Sequence, residues 1–144
     1  MSAINEAIER IRLYEDVMSI FRDRIVLKDG TVIMPEQIRS LSQLGGEHQV
    51  VVYYVPTGET EPYARSFPIN DIRTDRPTGM VDSTGKVIFE RDIVCSTDGD
   101  RGTVAMWRGR WIVRFHTPNL ENIPLYEIDK SLTITGMVPW EDGR

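Results

Sequence analysis

Apolar residues in the first part of the chain recur at helical spacing. Ile4, Ala7, Ile11, Tyr14, Met18, Phe21 and Ile25 stand alternately three and four positions apart. Ile8, Val17 and Ile20 widen the stripe, and Glu6, Glu9, Arg10, Arg12, Glu15, Asp16, Arg22 and Asp23 fill the other side. This pattern predicts an amphipathic helix, with Ser2 or Asn5 available to accept from a free amide at its start. Two uses of the stripe stand side by side: docking on the chain's own body, or self-association into a homo-oligomer. Three heptads are short for a free-standing coiled coil, and the broad apolar face suits docking.

The period then changes. In Arg24 to Met34, β-branched residues flank Asp29-Gly30, which predicts a β-hairpin. Pro35 is placed to open a short helix, with Ile38, Leu41 and Leu44 on one side and Gly45-Gly46 as its stop. Val50 to Val55 reads as a strand, Pro56 to Glu59 as a turn, and Pro62 to Phe67 as a returning partner. The polar stretch Asp71 to Pro77 reads as a connection and an internal boundary. Beyond it, short strands alternate with turns at 81–86, 97–100, 108–109 and 118–124. That spacing predicts a small β-barrel, whose closure would remove exposed edges. The expected fold class is therefore α+β. An N-terminal helical segment with a β-hairpin and strand occupies residues 1–76 and serves for docking or oligomerisation. The barrel occupies residues 77–144.

Residues 78–94 carry Thr78, Gly79, Asp82, Gly85, Lys86, Ile88, Glu90, Asp92, Ile93 and Val94 in an order that resembles the signature of the YopX family of phage and prophage proteins. Met80 and Phe89 are close replacements in that signature, and Arg91 stands where the family usually has glycine. Gly102, Val104, Gly109, Trp111 and the closing Ile134 to Val138 also fit, so the resemblance spans about residues 78–142. It implies a small barrel of SH3-like character encoded by a phage or integrated element. It implies no activity, and it leaves the N-terminal half unassigned.

The same residues also read as architecture. Gly79 and Gly85 permit turn conformations closed to other residues, and Asp82 can accept backbone hydrogen bonds in a turn. Glu90 and Asp92 invite an acid–base reading. Their spacing, with Arg91 between, instead suits a turn corner, so both are expected to be structural.

Composition narrows the function classes. The chain has 144 residues, 40% hydrophobic and 27% charged, which excludes a wholly disordered chain. Its longest apolar runs fall well short of the ~18–20 residues of a membrane-spanning helix. Met1 to Glu6 lack the basic and apolar regions of a secretory leader. Cys95 is the single cysteine, which rules out an internal disulfide and a cysteine zinc cluster. Together with the phage resemblance, this makes the host cytoplasm the expected location. His48 and His116 are the two histidines, and no ligand spacing joins them to other donors. No Gly-Lys-Ser/Thr follows the glycines of residues 99–109. No metal, cofactor or catalytic residue is expected, and the protein reads as a non-enzyme.

One local feature runs against the overall balance. Seventeen basic against 22 acidic side chains give a net charge of −5. Yet Arg101 to His116 holds Arg101, Arg108, Arg110 and Arg114 and no acidic residue. A two-residue loop at Arg108-Gly109 predicts that Trp107 faces Arg110, Met106 faces Trp111 and Val104 faces Val113. Val104, Met106, Trp111, Val113 and Phe115 then form a core side. Trp107, Arg110, Ile112, Arg114 and His116 form the other. Arginine is a poor first residue for so tight a turn, and a longer loop would shift the pairing. The outer face has a structural reading, in which the N-terminal helix covers Trp107 and the arginines lie around it. Its functional reading makes Trp107, Arg110 and Arg114 a binding site for a host or phage protein, or for nucleic acid. Overall acidity ranks a protein partner first. The expected function is an accessory protein acting by protein–protein binding on host or defence machinery, with a nucleic-acid-binding barrel as the alternative.

Overall fold

The computed structural model describes residues 22–44 and 49–140. The predicted N-terminal helix, with its docking or oligomerisation role, lies outside the described residues. Only the last turn of the stripe is described, and there Ile25 is a buried strand residue. The chain divides into two compact units, residues 1–74 with 140–144, and residues 75–139.

The first unit holds two three-stranded sheets. Strands β1 (Arg24–Leu27) and β2 (Val32–Ile33) form the hairpin, with Ile25 opposite Ile33 and Val26 opposite Val32. Its turn is tied by Leu27 donating to the Thr31 carbonyl and by Asp29 Oδ1 accepting from the Thr31 amide. Strand β6 (Ile72–Asp75) lies on the other side of β1. The second sheet is β3 (Ile38–Leu44), β4 (Gln49–Tyr54) and β5 (Tyr63–Pro68), in sequence order. Ile25, Leu27, Ile33, Ile38, Val50, Val52, Tyr54 and Phe67 form this unit's core.

The second unit is built on an open antiparallel sheet. It uses β9 (Asp92–Cys95), β10 (Arg101–Trp107), β11 (Arg110–Phe115), β12 (Ile123–Pro124) and β13 (Thr133–Met137). The spatial order is β12-β11-β10-β9-β13. Strands β7 (Pro77–Val81) and β8 (Val87–Phe89) form a separate hairpin. A four-residue helix, α1 (Leu125–Ile128), follows β12. Ile88, Val94, Val104, Val113, Leu125 and Leu132 make the core, with Met80, Trp111, Phe115, Ile128 and Ile134 packed at its margin.

This architecture corrects the expected α+β class. The described residues are mostly strand, and α1 is their one α-helix. The helix expected after Pro35 is a 3-10 turn, Pro35–Gln37, leading into β3. Gln37 fixes that turn: its Oε1 accepts from the Met34 amide, and its Nε2 donates to the carbonyl of Val55. The helix-like spacing of Ile38 and Leu41 has a different cause. The β3–β4 register shifts between Ile38 and Ser40, so Ile38 pairs with Tyr54 and Leu41 with Val52. A bulge inserts one residue and so puts positions three apart on one face. The polar connection expected at 71–77 contains β6, whose Arg73 and Asp75 are buried.

The expected SH3-like barrel is also corrected, because no strand pairing closes the five-stranded sheet. One edge is β12, two residues long and ending in Pro124, which lacks a backbone donor. The other is β13, where the β7–β8 turn takes the place of a further strand. The amide of Ser83 donates to the Leu132 carbonyl, and Asp82 Oδ2 accepts from the Ile134 amide.

Asp82 also closes its own turn. Its Oδ1 accepts from the amides of Thr84 and Lys86 and from the Thr84 hydroxyl. Burial pushes the carboxyl up, but these hydrogen bonds outweigh it and lower its pKa from 3.8 to about 2. A depressed folded pKa stabilises fully above the unfolded value, and the gain is lost as pH falls through the folded one. Asp82 should therefore contribute about 2–3 kcal/mol at neutral pH, declining between roughly pH 4 and pH 2. Asp82→Asn should cost about 2 kcal/mol at pH 7, since its amide turns a donor toward a backbone N–H. Urea unfolding of both proteins across this range should show the gap narrowing toward pH 2. A gap independent of pH would show that the carboxylate charge is not what holds the turn.

Candidate binding face

The ribbon β10–β11 has the register expected for a two-residue loop. Trp107 pairs with Arg110, Met106 with Trp111, Ala105 with Ile112, Val104 with Val113 and Thr103 with Arg114. Arg108 and Gly109 both have positive φ, 50° and 80°. This is the primed turn whose twist matches that of the flanking strands. Arginine therefore occupies a left-handed position that costs roughly 1–2 kcal/mol for a residue with a Cβ. Its guanidinium lies 4.4 Å from the centre of the Trp107 ring. That stacking returns about 0.5–1 kcal/mol at an exposed site.

Alternation along the strands separates the two faces. Val104 and Val113 are fully buried on the core side. On the other side Trp107 is 44% exposed, and Arg101, Arg110, Arg114 and His116 are exposed. Thr103 Oγ1 and His116 Nε2 share a hydrogen bond of 2.7 Å. Ile112 belongs to this outer face by register, between Ala105 and Pro124, yet is only 2% exposed. The middle of the face is thus apolar, with cationic side chains at both ends. Trp107, Arg110 and Arg114 are brought together as one surface. Sequence reasoning overlooked Arg108 as a member, although its place beside Trp107 in a tight loop was the available signal.

Three arginines outside this face are paired with carboxylates. Arg65 meets Asp29 at 3.3 Å, Arg76 meets Glu90 at 3.1 Å, and Arg91 meets Asp75 at 3.0 Å. Among the described residues, Arg101, Arg108, Arg110 and Arg114 have no carboxylate within ion-pair distance.

The remaining signature residues lie at turns. Gly79 and Gly85 have φ of 80° and 86°, a region that favours glycine. Glu90 receives a two-pronged contact from Arg76, Nε to Oε1 and Nη2 to Oε2, and Arg76 also stacks on Trp111 at 5.1 Å. Burial raises the Glu90 pKa, but the Arg76 hydrogen bonds and the Arg91 charge outweigh it and hold the group ionised below its usual range. Asp92 Oδ2 accepts from the Phe89 amide at 2.7 Å. Arg91, between them, has φ 68° and reaches the buried carboxylate of Asp75. In the first unit a similar chain runs from Asp29 through Arg65 to the Tyr54 hydroxyl, which meets the Tyr63 hydroxyl at 3.2 Å. The Tyr54 hydrogen bond raises the Tyr63 pKa.

Among the described residues, no three His, Cys, Asp or Glu side chains gather where they could hold a metal ion, and no helix is long and apolar enough to cross a membrane. No family model, curated protein or solved structure matches this chain.

The turn provides its own test. Arg108→Asn creates the Asn-Gly pair that primed turns prefer, and it removes the stacking on Trp107. Because the strain exceeds the stacking, the variant should gain about 0.5–1 kcal/mol in urea unfolding. A loss of stability would show that the Arg108–Trp107 contact outweighs the backbone cost.

Proposed function

We propose that the protein is a non-enzymatic accessory factor of a phage or prophage, acting in the host cytoplasm by binding a protein. The outer face of β10–β11 is the contact surface in this reading. Trp107 is the anchor, and Arg110 and Arg114 are flanking polar contacts. The observation that carries it is the state of this face: an exposed tryptophan beside Arg108 and Arg110, with Arg101 and Arg114 at the other end, all four arginines without ion-pair partners among the described residues. Aromatic and arginine side chains supply most hot spots at protein interfaces. The phage origin rests on the resemblance of residues 78–94 to the YopX signature.

A second reading uses the same face for nucleic acid, with bases stacked on Trp107 and phosphates on the arginines. The net charge of −5 opposes it, because affinity for nucleic acid comes largely from phosphate neutralisation.

The two readings separate on one substitution. Wild-type protein should retain a stoichiometric partner from host lysate after nuclease treatment, and Trp107→Ala should lose it without a matching fall in melting temperature. Neither protein should bind oligonucleotides at physiological salt. Micromolar oligonucleotide binding that weakens steeply with salt and disappears in Arg110→Glu/Arg114→Glu would establish the nucleic-acid reading instead.

A further inference from the structure

We infer that this face recognises an acidic protein segment, one that places two carboxylates about 13 Å apart. The inference rests on the protein-binding reading of the ribbon and adds the chemistry of the partner.

Spacing follows from the strand. Arg110 and Arg114 stand four residues apart on one face of β11. At roughly 3.3 Å per residue their stems are about 13 Å apart. Each end is reinforced from β10 or the turn. Arg108, stacked on Trp107, lies next to Arg110 at the loop. At the other end the His116 amide donates to the Arg101 carbonyl, which brings Arg101 to the end where Arg114 stands. Between the two ends Ala105 is half-buried and Ile112 is buried, so the charged ends are what the face offers a partner.

Charge supplies the complementarity. Elsewhere in the chain Arg65, Arg76 and Arg91 are each matched to a carboxylate. The ribbon arginines are not matched among the described residues. Guanidinium groups take carboxylates in a paired, planar geometry, so vacant ones side by side favour a partner with carboxylates. The favourable field is short, roughly 8 Å at physiological salt, and so acts on a partner already at the face. Basic partners are repelled there, which makes the pattern selective as well as attractive.

The test is selection from a random-sequence displayed peptide library on the immobilised full chain, beside Trp107→Ala and Arg110→Glu/Arg114→Glu. Circular dichroism and melting establish that both variants fold. Wild type should enrich peptides with two Asp or Glu residues spaced to reach both ends of the face. The charge-reversal variant should lose that enrichment at least tenfold and favour Lys or Arg in those places. Enrichment of neutral or basic peptides on wild type, lost in Trp107→Ala, would overturn the acidic partner while leaving the protein-binding face intact. Enrichment that ignores all three residues, or binding of a labelled oligothymidylate in place of peptides, would overturn both.

Discussion

The primed turn at Arg108-Gly109 determines which side of the second unit's sheet is core and which is surface. Side chains alternate along a strand, so sliding β11 by one residue against β10 would turn every β11 side chain to the opposite face. Trp111 and Val113 would face water, and Arg110 and Arg114 would enter the core. The turn prevents this by fixing Trp107 opposite Arg110. The backbone strain of Arg108 is small beside that exchange, since burying even one unpaired charge costs several kcal/mol. The exposed outer face and the core are two outcomes of one register.

Turns do much of the organising elsewhere in the chain, and they do it with carboxylates. Asp29 closes the β1–β2 turn and holds Arg65, while Asp92 closes the corner after β8. In each case an oxygen accepts from an amide that the strand ladder leaves free. Such groups stabilise less by attraction than by avoiding the cost of an unsatisfied donor. Residues that look like candidate acids in the sequence are therefore already occupied as hydrogen-bond acceptors.

What could be read from the sequence follows from how local each determinant is. The hairpin at Asp29-Gly30, the strand ending at Tyr54 and the β10–β11 pairing all depend on nearby residues, and the pattern displays them. The first-unit β3 misleads because a bulge at Arg39 breaks the two-residue period and imitates a helix. Strand β6 misleads because Arg73 and Asp75 are polar yet buried, so hydropathy marks them as loop. Closure of the sheet into a barrel depends on how far-apart strands meet, which no local pattern encodes. Of the binding face, Trp107, Arg110 and Arg114 were legible because one hairpin places them. That their guanidiniums lack carboxylates was not, since Arg65, Arg76 and Arg91 look no different along the chain and find partners only after folding.

The open sheet has a consequence for the protein's behaviour in acid. Unpaired strand edges are templates on which other chains add, and this sheet blunts both of its own. At one edge Pro124 offers no donor. At the other the Ile134 amide is occupied by Asp82, a charged side chain standing where a foreign strand would dock. The first guard is covalent and permanent, whereas the second is a proton equilibrium. Acid therefore weakens one guard, leaving the Ser83–Leu132 backbone bond to hold that edge, and leaves the other guard unchanged.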